Sequence, residues 1–420
     1  MDSLKKKIFW AVCCGTVSYL ALSIHSANDV YAEAVSLPPV AVDPPKRKAA
    51  QRPKTQKGAK QKAATRVEAP ARRAEPVPYL TPSTGVLGAP PPPYAGGQVA
   101  TGGRLGLLGN RSVMDTPFSQ TSYTAKLIQD QQARTIGDVV MNDPSVRLVS
   151  NAGSNFDVYH IRGFYYENSD VALNGLYGLA PFYSTAVNFV ERVEILKGPS
   201  ALLNGMPPAG AIGGSINLIT KQAPDFPITQ LTTTYQSKAH FGTLVDLARR
   251  FGDRKEFGVR FNAGYRNGKT AYDNQTDEFG NAVLNLDYRG ERVRVSADLG
   301  YQADNLSVPQ RFILIPSALP FVPPPPAAGS TYGQPSWSFW KPKDKFAMVQ
   351  GEVDITDNIT AYGALGWHHS GIDFRYVSPT VIAVNGNWRA LRFWGGALSR
   401  PAPDRPACAP TSIPGPSTTP

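Results

Sequence analysis

From residue 224 onward, apolar and polar residues alternate with a period of two. In Glu256 to Arg266 the apolar set is Phe257, Val259, Phe261, Ala263 and Tyr265, against Glu256, Arg260, Asn262 and Arg266. Asn281 to Arg289 sets Ala282, Leu284, Leu286 and Tyr288 against Asn281, Asn285, Asp287 and Arg289. Arg292 to Gln302 sets Val293, Val295, Ala297, Leu299 and Tyr301 against Arg292, Arg294, Ser296, Asp298 and Gln302. Phe346 to Ile355 and Ile359 to His368 are looser copies. Side chains alternate across a strand, so each run predicts a strand with one apolar and one wet face. Strands of about ten residues ending in Tyr suit the wall of a transmembrane β-barrel, although a soluble sandwich shows the same alternation. Turns such as Gly252-Asp253-Arg254 and Tyr288-Arg289-Gly290-Glu291 are short. The long segment Asp304 to Asp344, with Pro323 to Pro326, Trp337, Phe339 and Trp340, reads as a loop on the opposite rim.

Before residue 224 the pattern is mixed. Thr124 to Ile128 puts Leu127 and Ile128 on one helical side, and Ile136, Val139, Val140 and Met141 repeat that spacing until Asn142-Asp143-Pro144 ends it. Val146, Leu148 and then Val158 to Phe164 predict strands. The densest stretch is Val190 to Lys221, VERVEILKGPSALLNGMPPAGAIGGSINLITK. It predicts a strand stopped by Gly198-Pro199, a one-turn helix capped by Ser200 and ended at Gly205 in the left-handed conformation, and a second strand from Ser215. Neither phosphate-binding glycine motif fits. Six residues separate Gly198 from Gly205 where a P-loop has four, and the glycine run opens a strand where a dinucleotide fingerprint opens a helix. The residues alone are best served by a compact β-α-β packing unit with no chemistry.

Glu191, Arg192, Glu194, Lys197, Gly198, Pro199, Gly205, Gly210, Gly213 and Gly214 in this stretch resemble the end of the plug domain of TonB-dependent outer-membrane siderophore receptors. Ile161-Arg162-Gly163-Phe164 and Leu173-Asn174-Gly175-Leu176 resemble that family's IRGF and NGL segments, in the same order. The resemblance is tight from about Thr116 to Ala223 and continues to Ser378 by strand pattern. It implies an α+β plug domain inside a transmembrane antiparallel β-barrel, a cell outer-membrane location, and a ferric-siderophore complex carried as transported ligand with no cofactor bound directly. It also implies a TonB-type energy-transducing partner in the periplasm. Two ligand-facing residues carry over by motif: Arg162 and Tyr183. Tyr165, Tyr177 and Trp337 join them as aromatic loop residues suited to stacking on a bulky chelate.

The N-terminus tests the idea independently. Lys5, Lys6 and Lys7 precede an apolar run from Ile8 to about Leu22, and small residues follow to Ala32. This reads as a secretory signal peptide over residues 1–32, with an uncleaved anchor as the alternative. Cys13 and Cys14 fall inside it, so Cys408 alone remains and no disulfide framework or Cys-based metal site is available. Residues 33–115 read as a linker. It opens with Leu37, Pro38, Pro39, Val40 and Val42, which resemble the TonB box, a segment that pairs as a strand with the energy-transducing protein. From Pro44 to Leu80, eleven Lys/Arg face two Glu, which places +9 of the formal +11 charge in a stretch with too few apolar residues to fold. Basic tails of this kind bind nucleic acid elsewhere, but an exported chain meets little of it, so lipid or cell-wall contact is the better reading and nucleic acid is not expected as a partner.

No catalytic constellation is legible, and an enzyme is not expected. His368 and His369 are neighbours in a strand-like run and point to opposite faces, and no Cys/His cluster has metal spacing. The chain therefore divides into a signal peptide (1–32), TonB-box segment and disordered basic linker (33–115), plug (116–223), partial barrel (224–387) and an aberrant Pro-rich tail (388–420). Seven or eight strands fall between Thr229 and Ser378, whereas plugged transporters close at about 22. This predicts a truncated or frameshifted form of the receptor. The rival readings are an exported soluble β-rich binding or adhesion module, and an enzyme acting on an extracellular polymer. Haem, cobalamin or a sugar remain open as cargo.

Overall fold

The computed structural model describes residues 87–395, apart from 151–152, 155, 237, 318–326, 328, 332, 357–358 and 383–387, together with 411–414. The expected signal peptide and TonB box lie outside the described residues. In chain order the plug holds β1 (Gly102–Arg104), β2 (Asn110–Ser112), β3 (Ser119–Thr124), α1 (Ala125–Asp130), α2 (Ile136–Val140), β4 (Val146–Leu148), β5 (Val158–Ile161), β6 (Phe164–Glu167), β7 (Ala172–Leu173), β8 (Leu176–Tyr177), β9 (Val190–Lys197), α3 (Ala201–Asn204) and β10 (Gly214–Thr220). The wall holds β11 (Ile228–Gln236), β12 (His240–Phe251), β13 (Phe257–Lys269), β14 (Thr276–Arg289), β15 (Val293–Ser307), β16 (Phe339–Thr356), β17 (Ile359–Val381), β18 (Trp388–Gly395) and β19 (Thr411–Pro414).

The plug is built on β9. It pairs antiparallel with β3 on one side and with β10 on the other, and β10 continues to β7 and β8. Val193, Ile195, Ile216 and Leu218 are fully buried and meet Leu127, Ile128, Ile136, Val139 and Val140 from the two helices. The expected helices form, and α2 gains a capping box between Thr135 and Asp138. Met141 does not join the core face and is 47% exposed. In α3 the Ser200 side chain makes no capping bond, and Gly205 has φ 78 and ψ 174, positive but extended rather than left-handed helical. The short helix is instead closed by the Ser200 carbonyl, which accepts from Leu203 and Asn204 N–H.

The linker assignment ends too late. Residues 87–115 carry β1 and β2 and bury Leu87, Ala100 and Leu105 against the plug. Among the described residues few apolar anchors hold them, these three with Val99 packed beside the core, so composition alone does not separate them from the basic segment before.

The wall is one antiparallel sheet in the order β11 to β18, each strand hydrogen-bonded to the next, with β19 pairing on β17 at Ile359–Tyr362. Among the described residues β11 and β18 do not pair with each other, so the sheet is open: a partial barrel around a plug. The alternation holds. Phe257, Phe261, Tyr265, Leu286, Tyr288, Val293, Val295, Leu299 and Tyr301 are exposed outward, while Arg260, Asn262, Asn281, Asn285, Arg294, Ser296, Asp298 and Gln302 are buried inward. Residues 388–395, placed in the tail by the fading alternation, form β18.

Inward charges are paired. Arg260 grips Asp246 with two bonds of 2.9 and 2.8 Å, Arg250 lies 2.7 Å from Asp287, and Arg294 binds both Glu352 and Asp354. Plug and wall are hydrogen-bonded throughout. Asp298 Oδ2 accepts from Asn174 Nδ2 at 3.0 Å and Thr220 Oγ1 at 3.2 Å; Gln302 accepts from Ala186 N–H and donates to the Ser184 carbonyl. Lys221 Nζ reaches Asp246 at 3.2 Å, and Glu352 accepts the Leu87 N–H at 3.0 Å.

Candidate functional site at the long-loop rim

Successive wall strands are joined by short turns at one rim, Phe251 to Phe257 and Arg289 to Val293, and by the long connection of residues 308–338 at the other. The site lies at the second rim, where plug and wall residues meet. Two-residue hairpins of the plug set its geometry. Arg162 and Gly163 join β5 to β6 with φ 52 and 85, and Asn174 and Gly175 join β7 to β8 with φ 50 and 90. Positive φ at both positions is what this hairpin type requires, which accounts for Gly in the second place of each. In β5–β6 the ladder runs from Ile161–Phe164 at the turn to Val158–Glu167 at the open end.

That open end faces the wall across a cavity of about 210 Å³, lined from the plug by Phe156, Asp157, Glu167, Asn168, Phe182 and Tyr183 and from the wall by Arg311, Trp340 and Tyr376. Asn168 holds the plug side in place, donating to the Pro181 carbonyl at 2.7 Å and to Thr185 Oγ1 at 3.2 Å. The Phe182 N–H donates to Asp344 Oδ1, which His368 also contacts at 3.0 Å. His369 points outward and stacks on Trp367, so the two histidines diverge as expected.

Tyr183 meets Trp340 edge-on at 4.9 Å between centroids, and Trp340 lies 6.0 Å from Tyr376. The Arg311 guanidinium sits 4.4 Å from the Tyr376 ring and 5.5 Å from Phe156. Trp340 is 6% exposed, and its Nε1–H has no acceptor among the described residues. A buried donor without a partner costs about 1–3 kcal/mol, which a ligand oxygen would relieve. Burial pushes the Asp157 carboxyl up to about 6, although Ser184 Oγ donates to it at 2.7 Å. Burial, with the Asp344 carboxylate second, pushes the Tyr183 hydroxyl up to about 12. The cavity thus offers stacking faces, a cation, an unused N–H and two carboxyl groups.

The residues expected from the sequence do not all gather here. Tyr183 lines the cavity. Arg162 is exposed at the turn end of the hairpin, away from the lining pair Asp157 and Glu167. Tyr165, 53% exposed, bonds its hydroxyl to Glu167 Oε1 at 3.1 Å and so borders the lining. Tyr177 lies in β8 with its hydroxyl near Ser200 and Ser215. Trp337 is 40% exposed in the loop, and Trp340 takes the inward place. Phe156, Arg311 and Tyr376 have no counterpart in the sequence reading, whereas Trp340 is named there among the aromatics of the long loop. For Trp340 the signal was there: it is in phase with Asp344 and Phe346 on the inward face of β16.

The motif residues of β9 to β10 serve the plug itself. Glu194 accepts from the Arg104 N–H and from Asn217 Nδ2, both at 3.0 Å, and burial raises its pKa against the pull of Arg104. Lys197 pairs with Asp143 at 2.7 Å, and Glu191 lies 4.0 Å from Arg260. Arg192 is buried with Nε and Nη1 unpartnered among the described residues. Gly198, Gly210 and Gly214 have positive φ, and Pro199 is exposed.

The family model for the TonB-dependent receptor plug domain matches residues 112–215. The ferrichrome receptor FcuA of Yersinia enterocolitica is 38% identical over 304 residues, covering 72% of this chain and 40% of that protein. The crystal structure of BauA, the ferric preacinetobactin receptor of Acinetobacter baumannii, superposes with a TM-score of 0.69 at 43% identity, over 71% of this chain and 45% of that one. The pyoverdine receptor FpvA of Pseudomonas aeruginosa shares the fold at 17% identity with a TM-score of 0.63. The chain thus spans less than half the length of the relatives it matches. Plug motif, open antiparallel wall and these likenesses agree: the chain belongs to the TonB-dependent receptors of the outer membrane, of which it carries the plug domain and part of the barrel.

Proposed function

We propose that this chain is the ligand-binding part of a receptor for TonB-dependent uptake of a ferric siderophore. The observation that carries the reading is the rim cavity shared by plug and wall, with Tyr183, Trp340 and Tyr376 as stacking faces and Trp340 Nε1–H as an unused donor. A chelate seated there bridges the two bodies. The contacts through Phe182 N–H and Asp344, or Asn168 and the 181–185 segment, then connect its arrival to the plug. A TonB-type protein pulling on the N-terminal segment moves the plug and releases the chelate inward. Iron enters as cargo inside its chelator, and no residue performs covalent chemistry. The relatives FcuA and BauA are receptors for ferrichrome and ferric preacinetobactin, which makes these two chelates the first probes.

The test is a titration of the detergent-solubilised chain with each chelate, read by tryptophan quenching. Trp340→Phe keeps the ring and removes the N–H, and is expected to weaken binding roughly tenfold, the value of one hydrogen bond. Trp337→Phe is expected to change little. The proposal fails if neither chelate binds, or if both variants bind as the parent does.

A further inference from the structure

A second cavity, of about 270 Å³, lies between the plug and the inward face of β11 to β13, and it shares no lining residue with the rim cavity. The strand register sets its order from top to bottom. Arg266 of β13 lies between Gly242 of β12 and Phe279 of β14. Two residues below, Gly264 lies between Leu244 and Asn281, and two below that Asn262 lies opposite Asp246. Four residues of strand put about 13 Å between the levels of Arg266 and Asn262. At the upper end stand two guanidinium groups, one from the plug and one from the wall. Arg134, between α1 and α2, has its backbone fixed: its N–H donates to Asp138 Oδ2 at 2.8 Å, and its carbonyl accepts from the Val187 N–H at 3.2 Å. Its guanidinium makes no hydrogen bond or ion pair among the described residues. Burial, with Arg266 second, pulls its pKa down. Arg266 donates Nε to Asp277 Oδ2 at 2.9 Å and lies 3.9 Å over the Phe279 ring. His240, 3% exposed, lines the same end; its Nε2 has no hydrogen-bond partner among the described residues, and Asp277 Oδ2 is 3.5 Å away. At the lower end Asn262, also 3% exposed, has no donor for its Oδ1 among the described residues.

These groups describe an occupant. Arg134 and Arg266 set like charges against each other across the boundary between plug and wall, and an anion between them relieves that repulsion. Neither nearby carboxylate does so from within: Asp277 is bonded to Arg266 Nε and is not part of the lining, and Asp246, at the other end, is held by Arg260 and Lys221. Between the ends the lining is apolar, with Phe279, Ile128 and Leu244. Leu244 departs from the polar pattern of the inward face and is 37% exposed there. Asn262 Oδ1 asks for a donor, because a buried acceptor left unpaired is costly. The volume lies just under the usual range of about 300–1,000 Å³ for ligand pockets, so an intact ferric chelate is too large for it.

We propose that the cavity between the plug and β11 to β13 binds a small carboxylic acid with an apolar body and a distal hydroxyl, its carboxylate between Arg134, Arg266 and His240 and its hydroxyl on Asn262 Oδ1. Such a ligand bridges plug and wall at a place separate from the rim cavity, and the site stands whether or not the rim binds a chelate. The test is isothermal titration of the detergent-solubilised chain with 3-(4-hydroxyphenyl)propionate, its carboxamide and 3-phenylpropionate. The parent is expected to bind the hydroxy acid, and to bind each of the other two roughly tenfold more weakly or worse. Arg134→Gln, which removes a guanidinium that holds nothing else, is expected to weaken binding of the hydroxy acid roughly ten- to a hundredfold. Asn262→Ala is expected to bind 3-phenylpropionate as the parent does and to lose the preference for the hydroxyl. The proposal is overturned if the hydroxy acid does not bind, if the carboxamide binds equally, if Arg134→Gln binds like the parent, or if Asn262→Ala keeps the hydroxyl preference. Release of the acid by saturating ferric chelate overturns it in favour of one shared site. Chelate binding, read by tryptophan quenching on the same samples, separates failure of this site from failure of the receptor reading.

Discussion

Gly213 has room for a hydrogen and nothing larger. A Cβ there would run into the Ile161 carbonyl oxygen and lie 2.8 Å from Phe164 Cβ, and both belong to the β5–β6 hairpin that carries the cavity lining. Gly213→Ala is expected to cost about 2–3 kcal/mol by overpacking. Gly210→Ala, in open space at φ 79, should cost about 1 kcal/mol from backbone strain alone. Thermal unfolding of the two variants checks the order, and equal midpoints would sink it. Asp157 supplies a pH signature. Its folded pKa of about 6 lies above the ordinary 3.8, so its contribution to stability is fully present below 3.8 and lost as pH rises through about 6. The loss is roughly 2–3 kcal/mol, and Asp157→Asn should abolish it. Parallel melting curves for parent and variant between those pH values would contradict this. Site residues were legible only where local sequence sets their place. Tyr183 was reached through its motif, whereas Trp340, Arg311 and Phe156 meet only because the wall curves round the plug, which no spacing in the chain encodes.

At the scale of elements, strand existence was legible and strand length was not. Alternation located β13 at Glu256 to Arg266, but it runs to Lys269; it located β16 at Phe346 to Ile355, but the strand begins at Phe339. The undershoot falls on the long-loop side. Apolar outward residues are required only where lipid touches the wall, and beyond that height the backbone ladder continues without the pattern. Lys341, Lys343 and Lys345 are that continuation. The inward face ties wall to plug through single residues, Asp298 foremost: it is fully buried and accepts from Asn174, Thr220 and Asn285. Asp298→Ala removes the acceptor these three donors share, although Asn174 keeps Thr220 Oγ1 and Asn285 keeps Ser296 Oγ, at a cost of about 1–3 kcal/mol. Hydrogen exchange should then quicken at residues 172–176 and 217–220, while β11 to β13 keep their rates. Unchanged exchange in the plug segments would show that β15 does not hold them.

The wall is largely polar toward the plug and apolar outward, the reverse of a soluble sandwich, whose two sheets close over their apolar faces. Here the apolar faces of β13 to β16 point away from the plug, and charged and amide side chains make up most of the inward face, with Val283, Phe346 and Met348 joining the plug core. Such a wall is stable only where lipid or detergent covers it. Among the described residues the outer edges of β11 and β18 are unpaired, which adds a second reason for self-association in water. A single charge placed by height distinguishes the two architectures. Val349 lies midway between the lower outward residue Val353 and Lys345, which is level with Tyr301, and it is 52% exposed. In a lipid-facing wall Val349→Arg should cost about 2–4 kcal/mol and lower the protease-protected fraction after insertion into vesicles, because the charge enters the hydrocarbon. Lys343→Arg, closer to the long-loop rim, should leave that fraction unchanged. In a soluble sandwich with this face in water, Val349→Arg would be neutral and the parent would be recovered folded and monomeric without detergent. Either result would remove the membrane placement.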